Sequence, residues 1–116
     1  MQLPETFDAL LEKASQESLY LKLIHQLNKD FLYANINVDF QDHVLPQDLK
    51  LQLHEIVYKL INEKFAEYLN LLYIIDVPEK KVKQLDGSDL LVLSEQVAFL
   101  ILQREWQKVW LRHKYS

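Results

Sequence analysis

The sequence predicts an all-α fold: a small, largely antiparallel bundle of four main helices plus a short one, in a single domain spanning residues 1–116. Three observations carry that expectation. Apolar residues recur at three- and four-residue spacing through most of the chain, the period of a helix face. Breakers are scarce, with one Gly (Gly87) and three Pro (Pro4, Pro46, Pro78), whereas sheet proteins draw on Gly, Asn and Pro for many tight turns. From Asp86 to Ser116, Leu90–Leu91–Val92–Leu93 and Val97 to Leu102 place apolar side chains at almost every azimuth. A helix hydrophobic on most sides has to be surrounded by other elements, so this C-terminal helix is expected to be the central post.

The elements follow in order. Pro4 suits a first helical position, where its missing N–H costs nothing. Leu3, Phe7, Leu10, Leu11 and Ala14 then recur at helical spacing, with Glu5 and Asp8 near the positive end of the dipole. Ser15 or Ser18 is a candidate cap for the second helix. Its stripe runs Tyr20, Leu23, Ile24, Leu27, Phe31 and Ala34, opposite Lys22, His25, Gln26 and Lys29. Between Asn35 and Leu45 the period changes to two, with Ile36, Val38 and Phe40 alternating with polar residues. A lone short strand has no partner, so this reads as an extended connector tucked under the bundle. Leu45 precedes Pro46 and is biased toward extended backbone. Pro46 opens the longest predicted helix, continuing to Ile75 and so about 45 Å long. In it Leu49, Leu53, Ile56, Leu60, Leu71 and Ile74 share one side, and Glu67 is expected within that inner stripe. Asp76–Val77–Pro78 ends or kinks it, Glu79 to Leu85 forms a short helix, Asp86–Gly87 turns, and Ser88 is the expected cap of the last helix.

A chain of 116 residues buries about two-thirds of its unfolded surface, enough for its own core. Hydrophobic residues at 49% and charged residues at 26% are an ordinary globular mix. The N-terminus has neither a basic nor an apolar signal region, and the longest apolar run, Val97 to Leu102, is far short of a bilayer span. A cytoplasmic location without membrane association is the expectation. The net charge of −4 is uneven: residues 1–76 hold six basic against twelve acidic side chains, whereas residues 77–116 hold seven against five.

No catalytic, metal or nucleotide motif rises above background, and neither an enzymatic role nor a cofactor is expected. With no Cys there is no thiolate site. His25, His43, His54 and His113 lack the i, i+4 spacing of a zinc helix, and no Glu stands three before a His as in di-iron bundles. One Gly precludes a phosphate loop or dinucleotide fingerprint, each of which needs at least two. Asp39 and Asp42 beside His43 read as solvated loop charges. Glu67, Glu95 and Glu105 fall at azimuths where apolar residues dominate. Buried charges are normally paired, and Lys64, Arg104, Lys108 and Arg112 are the available partners. The sharper reading is a ligand-binding or catalytic helical bundle with an inter-helix pocket around Glu67 and Glu105, its ligand of unknown class. Nucleic-acid binding would use Lys80, Lys81, Lys83 and the C-terminal Arg104, Lys108, Arg112 and Lys114, but a pI near 5.5 opposes it.

Trp106 and Trp110 stand at i, i+4 on one face of the last helix. Large aromatics mostly complete a core, and closing the bundle is the first reading of this pair. The second is that the pair is presented to another protein or a second copy. Trp, Tyr and Arg dominate binding hot spots, and Arg104, Arg112 and Tyr115 flank the pair. Together these five residues form the candidate interaction set. The favoured function is a small interaction module, an adaptor, regulator or immunity-type inhibitor, with a homodimer as one form.

Overall fold

The computed structural model describes residues 2–116, and among them every regular element is a helix: α1 (Phe7–Gln16), α2 (Tyr20–Tyr33), α3 (Pro46–Glu63), α4 (Phe65–Ile75), α5 (Glu79–Lys83) and α6 (Leu90–Tyr115). Helix α6 touches each of the other five. Its Val97, Ala98, Ile101, Leu102, Trp106 and Val109 are buried among Leu10, Leu23, Leu27, Leu53, Val57 and Leu71 of the surrounding helices. The central post and the all-α bundle are therefore as the sequence predicts.

One feature of the long helix is corrected. It is two helices, because Lys64 leaves helical backbone geometry at φ −141° and ψ 62°. The amide of Lys64 still bonds Leu60 (2.9 Å) and its carbonyl accepts from Tyr68 (3.0 Å), so the chain bends with little loss of hydrogen bonding. No Pro or Gly marks the site. A straight helix over the same residues would run about 45 Å, whereas the molecule with the bend has a longest extent of 37 Å. Bending lets α3 pack along α6 while α4 turns to meet both α2 and α6. Leu49, Leu53, Val57 and Leu60, then Tyr68, Leu71 and Ile75, face the core. Glu67 is exposed in the first turn of α4, not in the inner stripe as expected. A carboxylate there complements the unpaired N–H groups of a helix start.

The scarcity of Gly has a local explanation. Helices α1, α2 and α4 each end with a non-glycine residue in the left-handed region, Ser18 (φ 58°), Asn35 (φ 60°) and Asp76 (φ 69°). In each case the next amide reaches five residues back: Leu19 to Ala14 (2.8 Å), Ile36 to Phe31 (2.9 Å) and Val77 to Leu72 (3.0 Å). These are Schellman closures, in which an apolar residue after the turn folds onto the helix, and Leu19 and Val77 are buried. Ser18 thus ends α1 and does not cap α2, and Ser15 bonds back to Leu11 (3.0 Å). The other caps also differ from expectation. Thr6 caps α1 by accepting from Ala9 (3.0 Å), leaving Pro4 outside the helix with its carbonyl bound by Gln103 (3.0 Å). Asp89 and not Ser88 caps α6, because its carboxylate reaches both Leu91 (3.0 Å) and Val92 (3.3 Å).

The Asn35–Leu45 connector is extended, with Phe40 buried and Ile36 and Val38 packed against the core. Asn28 holds it as a strand partner would, donating to the Phe40 carbonyl (2.9 Å) and accepting from the Phe40 amide (2.8 Å).

Candidate functional site

The five predicted interaction residues do not form one face. Trp106 is a core residue at 1% exposure, the largest of the fully buried side chains. Trp110, one turn on, is partly buried, and the Lys114 ammonium lies 4.9 Å from its ring and 5.9 Å from the exposed Tyr115 ring. Arg104 is spent on the end of α4. Its Nε donates to the Asp76 carbonyl (3.0 Å), one Nη pairs with the Asp76 carboxylate (3.2 Å), and the other bonds Gln107 (2.9 Å). Arg112 points the other way, onto α2, where it donates to Gln26 (2.9 Å). Residues two and six apart sit far round a helix from their neighbours, so Arg104 and Arg112 diverge from the Trp stripe.

Between α2 and α6 lies a buried polar ladder. Asp30 (5% exposed) and Glu105 (0% exposed) face each other among apolar side chains. The Lys108 ammonium donates to Asp30 (2.9 Å) and stands 3.2 Å from Glu105. Gln26 donates to Asp30 (3.1 Å). Neither Glu105 oxygen accepts a hydrogen bond. Burial, helped by a hydrogen bond to Asp30 and by its charge, pushes the Glu105 carboxyl up to about 9, against the pull of Lys108. Burial alone would raise Asp30 too, but hydrogen bonds from Glu105, Lys108 and Gln26 outweigh it and hold Asp30 below its ordinary value. The arrangement therefore favours a neutral Glu105 facing an ionised Asp30 that is neutralised by Lys108. That is the cheapest charge state for two carboxyls sharing a dry site.

The expected pairing of Glu105 with Lys108 is present. Gln26, expected on the outer face of α2, is instead buried, and so is Asp30, which lies one position from the α2 apolar stripe. Both turn inward because α6 offers Glu105, Lys108 and Arg112 to that side of α2. Glu67 does not share Glu105's enclosure, and Glu95 is exposed as well. The basic residues of the C-terminal third are likewise dispersed. Lys108 is consumed in the ladder, Arg104 at Asp76, and Lys83 pairs with Glu79 (2.9 Å).

A feature outside the predicted set stands on α4. Phe65, Leu69 and Tyr73 are 54%, 51% and 80% exposed. Their i, i+4, i+8 spacing sets them in one outward stripe, opposite the buried Tyr68, Leu71 and Ile75. The same spacing is visible in the sequence, but a helix apolar on both sides does not reveal which side is covered. The stripe borders a groove of about 410 Å³ between α4 and α5, lined by Leu69, Leu72, Tyr73, Val77, Pro78 and Val82 together with charged residues at its rim.

Among the described residues, no three His, Cys, Asp or Glu side chains converge as metal ligands would, and no helix is long and apolar enough to cross a membrane. Comparison with protein-family models, with curated proteins and with solved structures gives no match.

Proposed function

We propose that this chain is a small cytoplasmic protein-interaction module that works as a homodimer, with α4 as its contact helix. The observation that carries the reading is the outward stripe of Phe65, Leu69 and Tyr73. A contiguous apolar surface beside a groove is a feature of interaction sites, and Phe and Tyr are enriched in interface cores.

Self-complementarity favours a second copy as the occupant. A two-fold axis through Leu69 sets two α4 helices antiparallel, Leu69 on Leu69 and Phe65 of each copy against Tyr73 of the other. A two-fold interface requires the same patch on both subunits. Burial of Trp106 is why the proposed seam lies on α4 rather than on α6.

The test is assembly mass measured by light scattering over a concentration series, for the wild-type chain and for Leu69→Lys with Tyr73→Lys. The expected result is a dimer that the double variant converts to a monomer without lowering the melting temperature. A wild-type chain monomeric at every concentration, or a dimer untouched by the double variant, overturns the reading.

A further inference from the structure

We infer that the groove between α2 and the end of α6 binds a small, multiply charged oxyanion, a molecule carrying two or more phosphate or carboxylate groups. This groove, of about 360 Å³, is lined by Lys22, His25 and Lys29 from one wall and Arg112 and His113 from the other, with no Asp or Glu side chain among its lining residues. Positions 22, 25 and 29 share one face of α2, and seven residues of helix separate the two lysines by about 10 Å. Two lysines so spaced, with an arginine opposite, match several negative charges better than a single one.

The concentration of charge is the unusual feature. The chain is net negative, yet this groove collects three permanent cations and two imidazoles. Lys22, Lys29 and Arg112 take part in no ion pair among the described residues, unlike Lys13, Lys59, Lys83, Arg104 and Lys108. Among Asp and Glu side chains of the described residues, Asp42 alone pairs with a lining residue, reaching His25 at the margin (3.1 Å), and Ser116 also lines the groove. Like charges gathered in one groove repel unless an anion neutralises them, and a cleft lined by one sign of charge focuses field onto an incoming counter-ion.

The groove is also organised from behind. Gln26 is buried in its floor, donates to Asp30 and accepts from Arg112. The guanidinium is thus held at one edge by the polar ladder, while its remaining N–H donors are left for a ligand. A planar fork of fixed orientation suits bidentate recognition of phosphate or carboxylate, and holding it in place beforehand lowers the ordering cost of binding. The groove's volume is that of a small-molecule site. Nucleic acid is disfavoured because the chain is acidic overall.

The test uses amide chemical-shift mapping at matched ionic strength with two probes, pyrophosphate and citrate, and with a poly-glutamate peptide and a single-stranded oligonucleotide as competitors for the assignment. The expected result is saturable perturbation at residues 22, 25, 29, 112 and 113 by one or both small anions. Pyrophosphate alone would identify a phosphoryl ligand, and citrate alone a polycarboxylate. Lys22→Gln with Lys29→Gln, or Arg112→Gln, should weaken binding at least about tenfold, while Lys80→Gln with Lys81→Gln leaves it unchanged. The substituted positions 22, 29, 80, 81 and 112 are all exposed, so the variants should keep their melting temperatures. No perturbation by either anion, equal perturbation around residues 80–83, or binding confined to the peptide or the oligonucleotide overturns the inference.

Discussion

Glu105 and Asp30 face each other across the seam between α6 and α2, each in contact with the Lys108 ammonium. Both are buried, the first held neutral up to about 9 and the second held ionised. Lys108 closes the arrangement with contacts of 2.9 Å to Asp30 and 3.2 Å to Glu105. Two helices are thereby registered by a polar contact inside an otherwise apolar core, and its stability depends on pH in a definite direction.

The sign for Glu105 follows from proton counting. The unfolded chain releases this proton near pH ~4.3, the folded chain near 9. Between those values the folded state holds one more proton, so stability falls as pH rises. Asp30 acts oppositely, adding stability above its unfolded value of ~3.9 and losing it as pH falls through its lowered folded value. Glu105→Gln keeps a donor for Asp30 and cannot ionise. The variant should gain stability relative to wild type as pH rises from mildly acidic toward 9, by up to about 1.4 kcal/mol per pH unit. Denaturant titrations of both chains across that window measure the difference. Parallel curves would show that the carboxyl is not held protonated.

Lys108→Met should destabilise by ~3–5 kcal/mol, because it strands the buried Asp30 charge without its cation. Adding Asp30→Asn to that variant should restore much of the loss, since the uncompensated charge is gone. Chemical unfolding of the single and double variants reads the coupling.

Trp106→Ala and Trp110→Ala should differ. Removing the buried Trp106 indole should cost ~3–5 kcal/mol, as for other large-to-small core changes. Trp110 is only partly buried and should cost clearly less. Neither change should alter assembly mass if α4 is the contact helix. A Trp110 variant that dissociates a dimer without melting early would return the seam to α6.

Ser18→Gly should stabilise the chain by ~0.5–1 kcal/mol. Ser18 sits at φ 58°, where an L side chain carries a steric cost that glycine avoids, and that relief exceeds the extra unfolded-state freedom of glycine. Thermal melting of the variant against wild type measures the gain, and a lowered melting temperature would mean that the serine hydroxyl contributes more than its Cβ costs.

The architecture of this protein was legible in its sequence because it rests on the summed periodicity of many residues. The all-round apolar α6, the α2 stripe, Pro46 at a helix start and the extended Asn35–Leu45 connector each depend on local pattern, and each is present. The break at Lys64 was not legible. It goes with the placement of α4 against both α2 and α6, and no Pro or Gly records it. For the same reason the exposure of Glu67, and of the Phe65–Leu69–Tyr73 stripe, was undetermined: a helix apolar on two sides acquires an inside only when α2 and α6 cover one of them. The role of Ser18 was not legible because Ser serves both as a cap and as a left-handed terminator, and the buried Leu19 after it decides for the second. At the start of α6 two adjacent capping types, Ser88 and Asp89, compete, and the Asp89 carboxylate makes the bonds. Asp30 meeting Glu105, and Lys22 and Lys29 meeting Arg112, pair residues more than seventy positions apart. The sequence supplied those side chains, and only the packing of α2 on α6 brought them within reach, because short-range electrostatics depends on distances that sequence separation does not encode.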